Sequence, residues 1–171
     1  MNHTKIAIVL PTRNRPEWLK RFIDSVFDTV SSHEIVKFYL YIDDDDILSP
    51  PMIESLKEVY KDRIFTLVGD RILMSEMANK LIPFIEEDIF FCGGDDLIFR
   101  TKNWDQVVIS KFDEIEDKIA LLYGDDLFQG ELATHPILHR RWVECLGYLT
   151  PPYFSSDYSD TWLTEIAIRL D

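Results

Sequence analysis

Two carboxylates stand side by side in the run 90–100, FFCGGDDLIFR, between one apolar stretch and another. Burying neighbouring negative charges is costly unless a cation or a set of hydrogen bonds compensates them, so Asp95 and Asp96 are expected to hold something. Adjacent side chains of an extended strand point to opposite faces. The pair can converge on one ligand only where the backbone leaves that geometry, which Gly93 and Gly94 permit. Oxygen ligands of this kind suit Mg²⁺ or Mn²⁺, which take one or two carboxylates and complete the shell with water and substrate phosphates. His135 and His139, in ATHPILHRR, are the imidazoles able to complete such a shell or to contact a substrate.

A second acidic pair, Asp157 and Asp160 in SSDYSDTW, stands where a last helix begins. Capping explains one of them; the other is available as a general base, able to take a proton from an alcohol as its oxygen attacks. Arg13, Arg15 and Arg71 offer planar forks to phosphates, or ion pairs to nearby aspartates. The run DDDD at 43–46 lacks the alternating spacing and glycine of a calcium loop. It is expected to give Asp43 or Asp44 to hydrogen bonds from a ligand's base, with the remaining carboxylates solvated. Gly-x-Ser-x-Gly, P-loop, Rossmann GxGxxG and His-Glu-x-x-His patterns do not occur, which removes support for hydrolase triads and dinucleotide chemistry.

These groups need elements to bring them together. Short apolar, β-rich runs at 6–10, 38–42, 64–68, 89–92 and 119–123 alternate with helical patterns, as βαβ units and a mostly parallel sheet require. The first helix carries Leu19, Phe22, Ile23, Val26, Phe27 and Val30 on one face and Pro16 in its first turn. Further helices are expected at 51–60, 70–86, 104–112, 140–146 with Gly147 as its C-cap, and 160–170. Ligands of open α/β sheets bind beyond the carboxyl ends of the strands. Each of the five strands is followed there by charged residues.

The 171 residues are one domain's worth, and 46% hydrophobic and 13% aromatic residues give a packed core. No apolar run approaches the roughly 18 residues of a membrane span, and Pro11 with the charged RNR interrupts any leader-like start. A net charge of −13 repels polyanions and argues against nucleic-acid or anionic-membrane binding. Cys92 and Cys145 are too few for a disulfide framework or thiolate metal site, which fits reduced thiols in the cytoplasm.

VLPTRNRP after strand one, YIDDDD after strand two, GGDDLIF after strand four and SDTW before the late helix resemble, in that order, the GT-A glycosyltransferases, in particular the inverting family 2 type. The resemblance covers nearly the whole chain. It implies a GT-A fold, a nucleotide-sugar donor, most often a UDP-sugar, a hydroxyl acceptor, and Mn²⁺ or Mg²⁺. Pro11, Thr12 and Arg13 would line the nucleotide, Asp43 or Asp44 would contact the base, and Arg71 would lie near base or phosphate. The family's DxD motif falls on the GGDD segment, where Asp95 and Asp96 would share ribose and metal contacts. The metal set is then Asp95, Asp96 and His135. The catalytic aspartate falls on Asp160, with Asp157 as the alternate. Two positions depart from the pattern: Gly93 or Gly94 stands at the first acidic position of DxD, and Ser159 replaces the glutamate before the base. The chain is short for the family, with a nucleotide-sugar part at about 1–100 and a reduced acceptor part at about 101–171. Such a minimal enzyme, of viral type, would tolerate donor hydrolysis. The rival readings are a nucleotidyltransferase, for which PTRNRP lacks the glycine-rich loop and lysine, and a non-catalytic acidic module binding a cation or a basic protein.

Overall fold

Ile6, Ala7, Ile8, Val9 and Leu10 are almost wholly enclosed, and they alternate between two cores. Ile6, Ile8 and Leu10 join one apolar cluster, Ala7 and Val9 the other. Burial on both faces marks a central strand of a parallel sheet, and explains why the run reads as continuously apolar rather than alternating. The computed structural model describes residues 4–127, 130–155 and 157–170. They form one α/β domain whose six-stranded sheet consists of β1 (Ile6–Thr12), β2 (Val36–Asp43), β3 (Ile64–Gly69), β4 (Ile89–Cys92), β5 (Leu121–Leu122) and β6 (Ile137–His139), in the order β3-β2-β1-β4-β6-β5. Strands β1 to β4 are mutually parallel, with Ile8 opposite Phe38 and Phe91. β6 runs antiparallel to both of its neighbours.

Six helices flank the sheet: α1 (Pro16–Thr29), α2 (Ser49–Tyr60), α3 (Met74–Leu81), α4 (Trp104–Asp113), α5 (Arg140–Leu146) and α6 (Ser159–Leu170). Leu19, Phe22, Ile23, Val26 and Phe27 of α1 pack with residues of α2 and α4 in the first cluster; α3, α5 and α6 supply the second. α5 ends at Gly147 in the left-handed conformation (φ 82°), its N–H returning to the Val143 carbonyl, the C-cap that sequence predicts.

Three expectations need correction. The helix expected over 70–86 is only α3: Asp70–Leu73 stays non-helical, and a 3₁₀ turn over Ile82–Phe84, containing Pro83, replaces the end. The strand expected over 119–123 pairs only at Leu121–Leu122. β6 was not foreseen, because three residues are too few to show a period; it exists through its pairing with β4 and β5. Among the described residues no helix is long and apolar enough to cross a membrane.

The glycines after β4 also work differently from expectation. Neither Gly93 nor Gly94 has positive φ; what Gly93 provides is space. A Cβ on Gly93 would lie 2.8 Å from the Phe91 ring and 3.3 Å from that of Phe22. The acidic run corrects the sequence reading as well. Asp43 and Asp46 are buried, and Asp46 accepts hydrogen bonds from the N–H groups of Leu48 and Ser49 at the start of α2 and from that of Asn14 in the loop after β1. The fourth aspartate is therefore a helix cap that also ties two strand-end loops together.

Two predictions follow from this packing. Gly93→Ala forces the Phe91 ring to shift inside a filled core and is expected to cost about 1–3 kcal/mol of unfolding free energy, read by urea titration. Asp46→Ala is expected to cost about 1–2 kcal/mol at neutral pH. Burial raises the pKa of Asp46, but the hydrogen bonds from Ser49, Asn14 and Leu48 outweigh it and hold the carboxyl below its ordinary value. A depressed native pKa gives stability that is present above the ordinary carboxylate pKa and lost as pH falls through the native one. The gap between wild type and Asp46→Ala should therefore close on acidification.

Candidate active site

The loop after β1 is the hinge of the site. Thr12 ends β1 beside Ile42 of β2, Asn14 turns through the left-handed region (φ 54°), and Pro16 opens α1. This turn sends Arg13 and Arg15 to opposite sides. The Arg13 guanidinium reaches Asp45 at 2.6 Å, and its Nε lies 3.2 Å from Asp43 Oδ2. Arg15 donates to Asp95 Oδ1 at 2.7 Å, and its other terminal nitrogen lies 3.7 Å from Asp96.

Asp95 is 5% exposed. Its Oδ2 accepts the Thr12 hydroxyl at 2.9 Å, so both carboxylate oxygens are engaged. Burial holds its pKa above the ordinary value, against the lowering pull of Thr12 and Arg15. Asp96 is exposed beside it. The question posed by the acidic pair thus has a physical answer: Asp95 is a buried tie between the loops after β1 and β4, and Asp96 is the carboxylate left accessible.

β6 brings the imidazole. The Cys92 N–H donates to the Pro136 carbonyl, which sets His135 beside the glycines. Asp96 Oδ1 and His135 Cε1 lie 2.9 and 3.5 Å from the point where a Gly94 Cβ would stand, so the two side chains flank Gly94. Burial keeps His135 below the ordinary imidazole pKa, opposed by the carboxylates of Asp96, Asp126 and Asp160. It is neutral near pH 7 and able to act as a ligand. His139 serves elsewhere: its Nδ1 accepts the Arg141 N–H at the start of α5, and its ring packs on Phe112.

All of this opens into one cavity of about 970 Å³, lined from β1 and β2 by Pro11, Thr12, Arg13 and Asp43, from beyond β3 by Arg71, from beyond β4 by Asp95 and Asp96, and by His135, Asp157 and Asp160. Asp43 is 3% exposed and its Oδ1 has no hydrogen-bond partner among the described residues. Asp44 is not part of the lining; it is exposed and its N–H donates to Gly69. Arg71 makes no ion pair among the described residues. Asp160 Oδ1 accepts the Thr161 N–H at 2.7 Å, which leaves Oδ2 for other work. Asp125 and Asp126 after β5 are not in the lining; Asp126 accepts the Thr134 hydroxyl.

A divalent ion is chemically compatible with Asp96 and His135, since hard carboxylate oxygen and neutral imidazole both bind Mn²⁺ or Mg²⁺. Among the described residues no three His, Cys, Asp or Glu side chains are gathered into a ready-made shell, so phosphate oxygens and water would have to complete it. Sequence reasoning did not pick out the polar wall of Thr134, Thr150, Ser155 and Tyr158, because isolated hydroxyls in loops carry no pattern. Cys92 reaches the cavity wall, but burial pushes its thiol up to about 12, which rules it out as a nucleophile at neutral pH.

The sequence matches no protein-family model and no curated protein. Solved structures do match. The mannosyltransferase PcManGT from Pyrobaculum calidifontis, in complex with GDP-Man and Mn²⁺, aligns over 98% of this chain and 54% of its own, with a TM-score of 0.73 and 10% identity. S. aureus TarS 1–349 aligns over 95% of this chain and 55% of its own, with a TM-score of 0.68 and 12% identity. Its complex with UDP-GlcNAc gives a TM-score of 0.66. This chain spans about half the length of these proteins. At such identities the likeness is one of architecture, and the fold is that of the GT-A glycosyltransferases.

Proposed function

We propose that this protein is a metal-dependent inverting glycosyltransferase that moves a sugar from a UDP-sugar to a hydroxyl acceptor. The observation that carries this reading is the single cavity where, in a GT-A fold, Asp43, Arg71, Asp96 with His135, and Asp160 face one another across the carboxyl ends of the strands. Residues 1–100 form the nucleotide-sugar part and 101–171 the acceptor part.

Asp43 supplies one acceptor, Oδ1, because Arg13 faces Oδ2. A single acceptor suits the one imide N–H of uracil better than the adjacent N–H and amino group of guanine, which call for both oxygens. Pro11 and Thr12 border this base and ribose region. Arg71 faces the diphosphate. Asp96 and His135 would hold the cation, which when bound neutralises charge on the departing diphosphate. Asp95, whose two oxygens each accept one hydrogen bond, from Thr12 and Arg15, has lone pairs left for the same cation.

Asp160 Oδ2 takes the proton of the acceptor hydroxyl as that oxygen bonds to the anomeric carbon. The anomeric carbon–oxygen bond to the diphosphate breaks on the opposite face, its electron pair leaves with the phosphate oxygen, and the configuration inverts. Asp157, exposed at the same rim, is the alternate base. The cavity is open enough for water to replace the acceptor, which gives slow donor hydrolysis.

UDP with Mn²⁺ is expected to raise the melting temperature, because a ligand that binds only the folded state stabilises it. UDP release from a panel of UDP-sugars should fall about 10²–10⁴-fold in Asp160→Asn, as expected for loss of a general base. Asp96→Ala should lose the Mn²⁺-dependent part of UDP binding while melting as wild type does without ligand. Equally slow UDP release from wild type and both variants would sink the catalytic assignment.

A further inference from the structure

The cavity's cations all lie on one side, where Asp43, Asp95 and Asp96 accompany them. Its nucleotide wall carries Arg13, Arg15 and Arg71, whereas the wall from Thr134 to Leu163 carries Asp157 and Asp160 among hydroxyl groups and no lysine or arginine. The stretch of chain that supplies this wall is equally short of cations. After Lys118 the chain has only three, Arg140, Arg141 and Arg169, and none of them lines the cavity. Arg140 donates to the carbonyls of Ile85 and Glu87, Arg141 pairs with Glu144, and Arg169 lies by Glu165 near the end of α6. An acceptor bearing phosphate or carboxylate would therefore meet uncompensated like charge at this wall.

The same rim presents aromatic rings. Tyr158 lines the cavity and is 68% exposed; beside the lining stand Tyr153, 69% exposed, and Trp162, 40% exposed, which follows the lining residue Thr161 on α6. Trp162 stands edge-on to Tyr153 and Phe154, with ring centroids 6.0 and 5.8 Å away, and its indole N–H donates to the Tyr148 hydroxyl. This ledge is fixed in place. The Asn79 side chain of α3 accepts the N–H groups of Leu149 and Thr150 and donates to the Thr150 carbonyl. Ser75 donates to the Phe154 carbonyl, and the Thr150 hydroxyl donates back to Ser75.

We propose that the acceptor is a neutral saccharide, held at the 148–162 rim with its hydroxyls on Asp157 and Asp160 and an apolar ring face on the aromatic ledge. Carboxylates accept from paired sugar hydroxyls, rigid aromatics cover the C–H face of a pyranose at little entropic cost, and the absence of cations discriminates against phosphorylated acceptors. The proposal rests on the glycosyltransferase reading for its chemistry, but saccharide binding at the rim can be measured without turnover.

Saturation-transfer NMR with methyl glycosides of neutral hexoses, N-acetylhexosamines and their disaccharides, compared with the corresponding sugar phosphates, tests it. Neutral members are expected to bind at least about tenfold more tightly than the phosphates, as like charges a few Å apart at a surface predict. Tyr153→Ala, at a mostly exposed position, should weaken saccharide binding about fivefold or more while leaving the melting temperature and UDP affinity unchanged, in keeping with loss of one stacking face. Asp157→Lys should narrow the gap between neutral and phosphorylated sugars. Phosphates that bind as well as neutral sugars, no binding by any saccharide, or no effect of Tyr153→Ala would each overturn the proposal. A UDP titration of the same samples separates this from failure of the donor reading, which would show as no nucleotide binding while saccharides still bind.

Discussion

A carboxylate almost wholly removed from water, Asp95, holds together the two loops on which the rest of the site depends. It survives there because Thr12 and Arg15 satisfy both oxygens, and removing one partner of such an arrangement leaves a buried charge uncompensated. The tie joins the end of the central strand β1 to the end of β4. Those two strands lead into Arg13 and Arg15 on one side and into Gly94 and Asp96 on the other, so one buried interaction fixes the spacing between the two loops. Asp96, next in sequence, is left in contact with solvent, and two chemically identical neighbours come to do different work.

The loop after β1 extends this logic through a chain of ion pairs and hydrogen bonds. Arg13 answers Asp43 and Asp45, the Asn14 N–H answers Asp46, and Arg15 answers Asp95. Part of the acidic character that the strand ends gather is thereby answered from within, in a chain whose overall charge is strongly negative. What is left toward the cavity is Asp43 Oδ1, without a hydrogen-bond partner among the described residues, and the carboxylates of Asp96, Asp157 and Asp160.

The first half of the fold was legible because its strands are buried on both faces and its helices show a wide apolar stripe. The run 6–10 sits inside β1, and 89–92 is β4 without adjustment. The limits were physical. β6 is three residues long and owes its existence to partners far away in sequence, so His135 and His139 looked alike until the strand between them turned one to the cavity and the other to the first turn of α5. In DDDD the pattern shows four equal charges, while burial sorts them into a candidate base contact, a helix cap and two exposed carboxylates. Gly93 was read as a conformational need; the constraint is the room taken by Phe91 and Phe22, which only packing can reveal.

The reversal of direction at β6 has a bearing on how the molecule assembles. β1, β2 and β3 join through consecutive βαβ crossovers, whereas β4 and β6 meet only after a long intervening stretch has been threaded, and they share just three residue pairs. Closing that loop costs chain entropy that three rungs repay sparingly. What holds β6 against β4 is therefore less its rungs than its burial, with Ile137 in one core and Leu138 in the other, and the flanking bonds from the Cys92 and Arg140 N–H groups to Pro136 and Asp88. Amide exchange along 137–139 would then report how firmly the seam between β4 and β6 is closed.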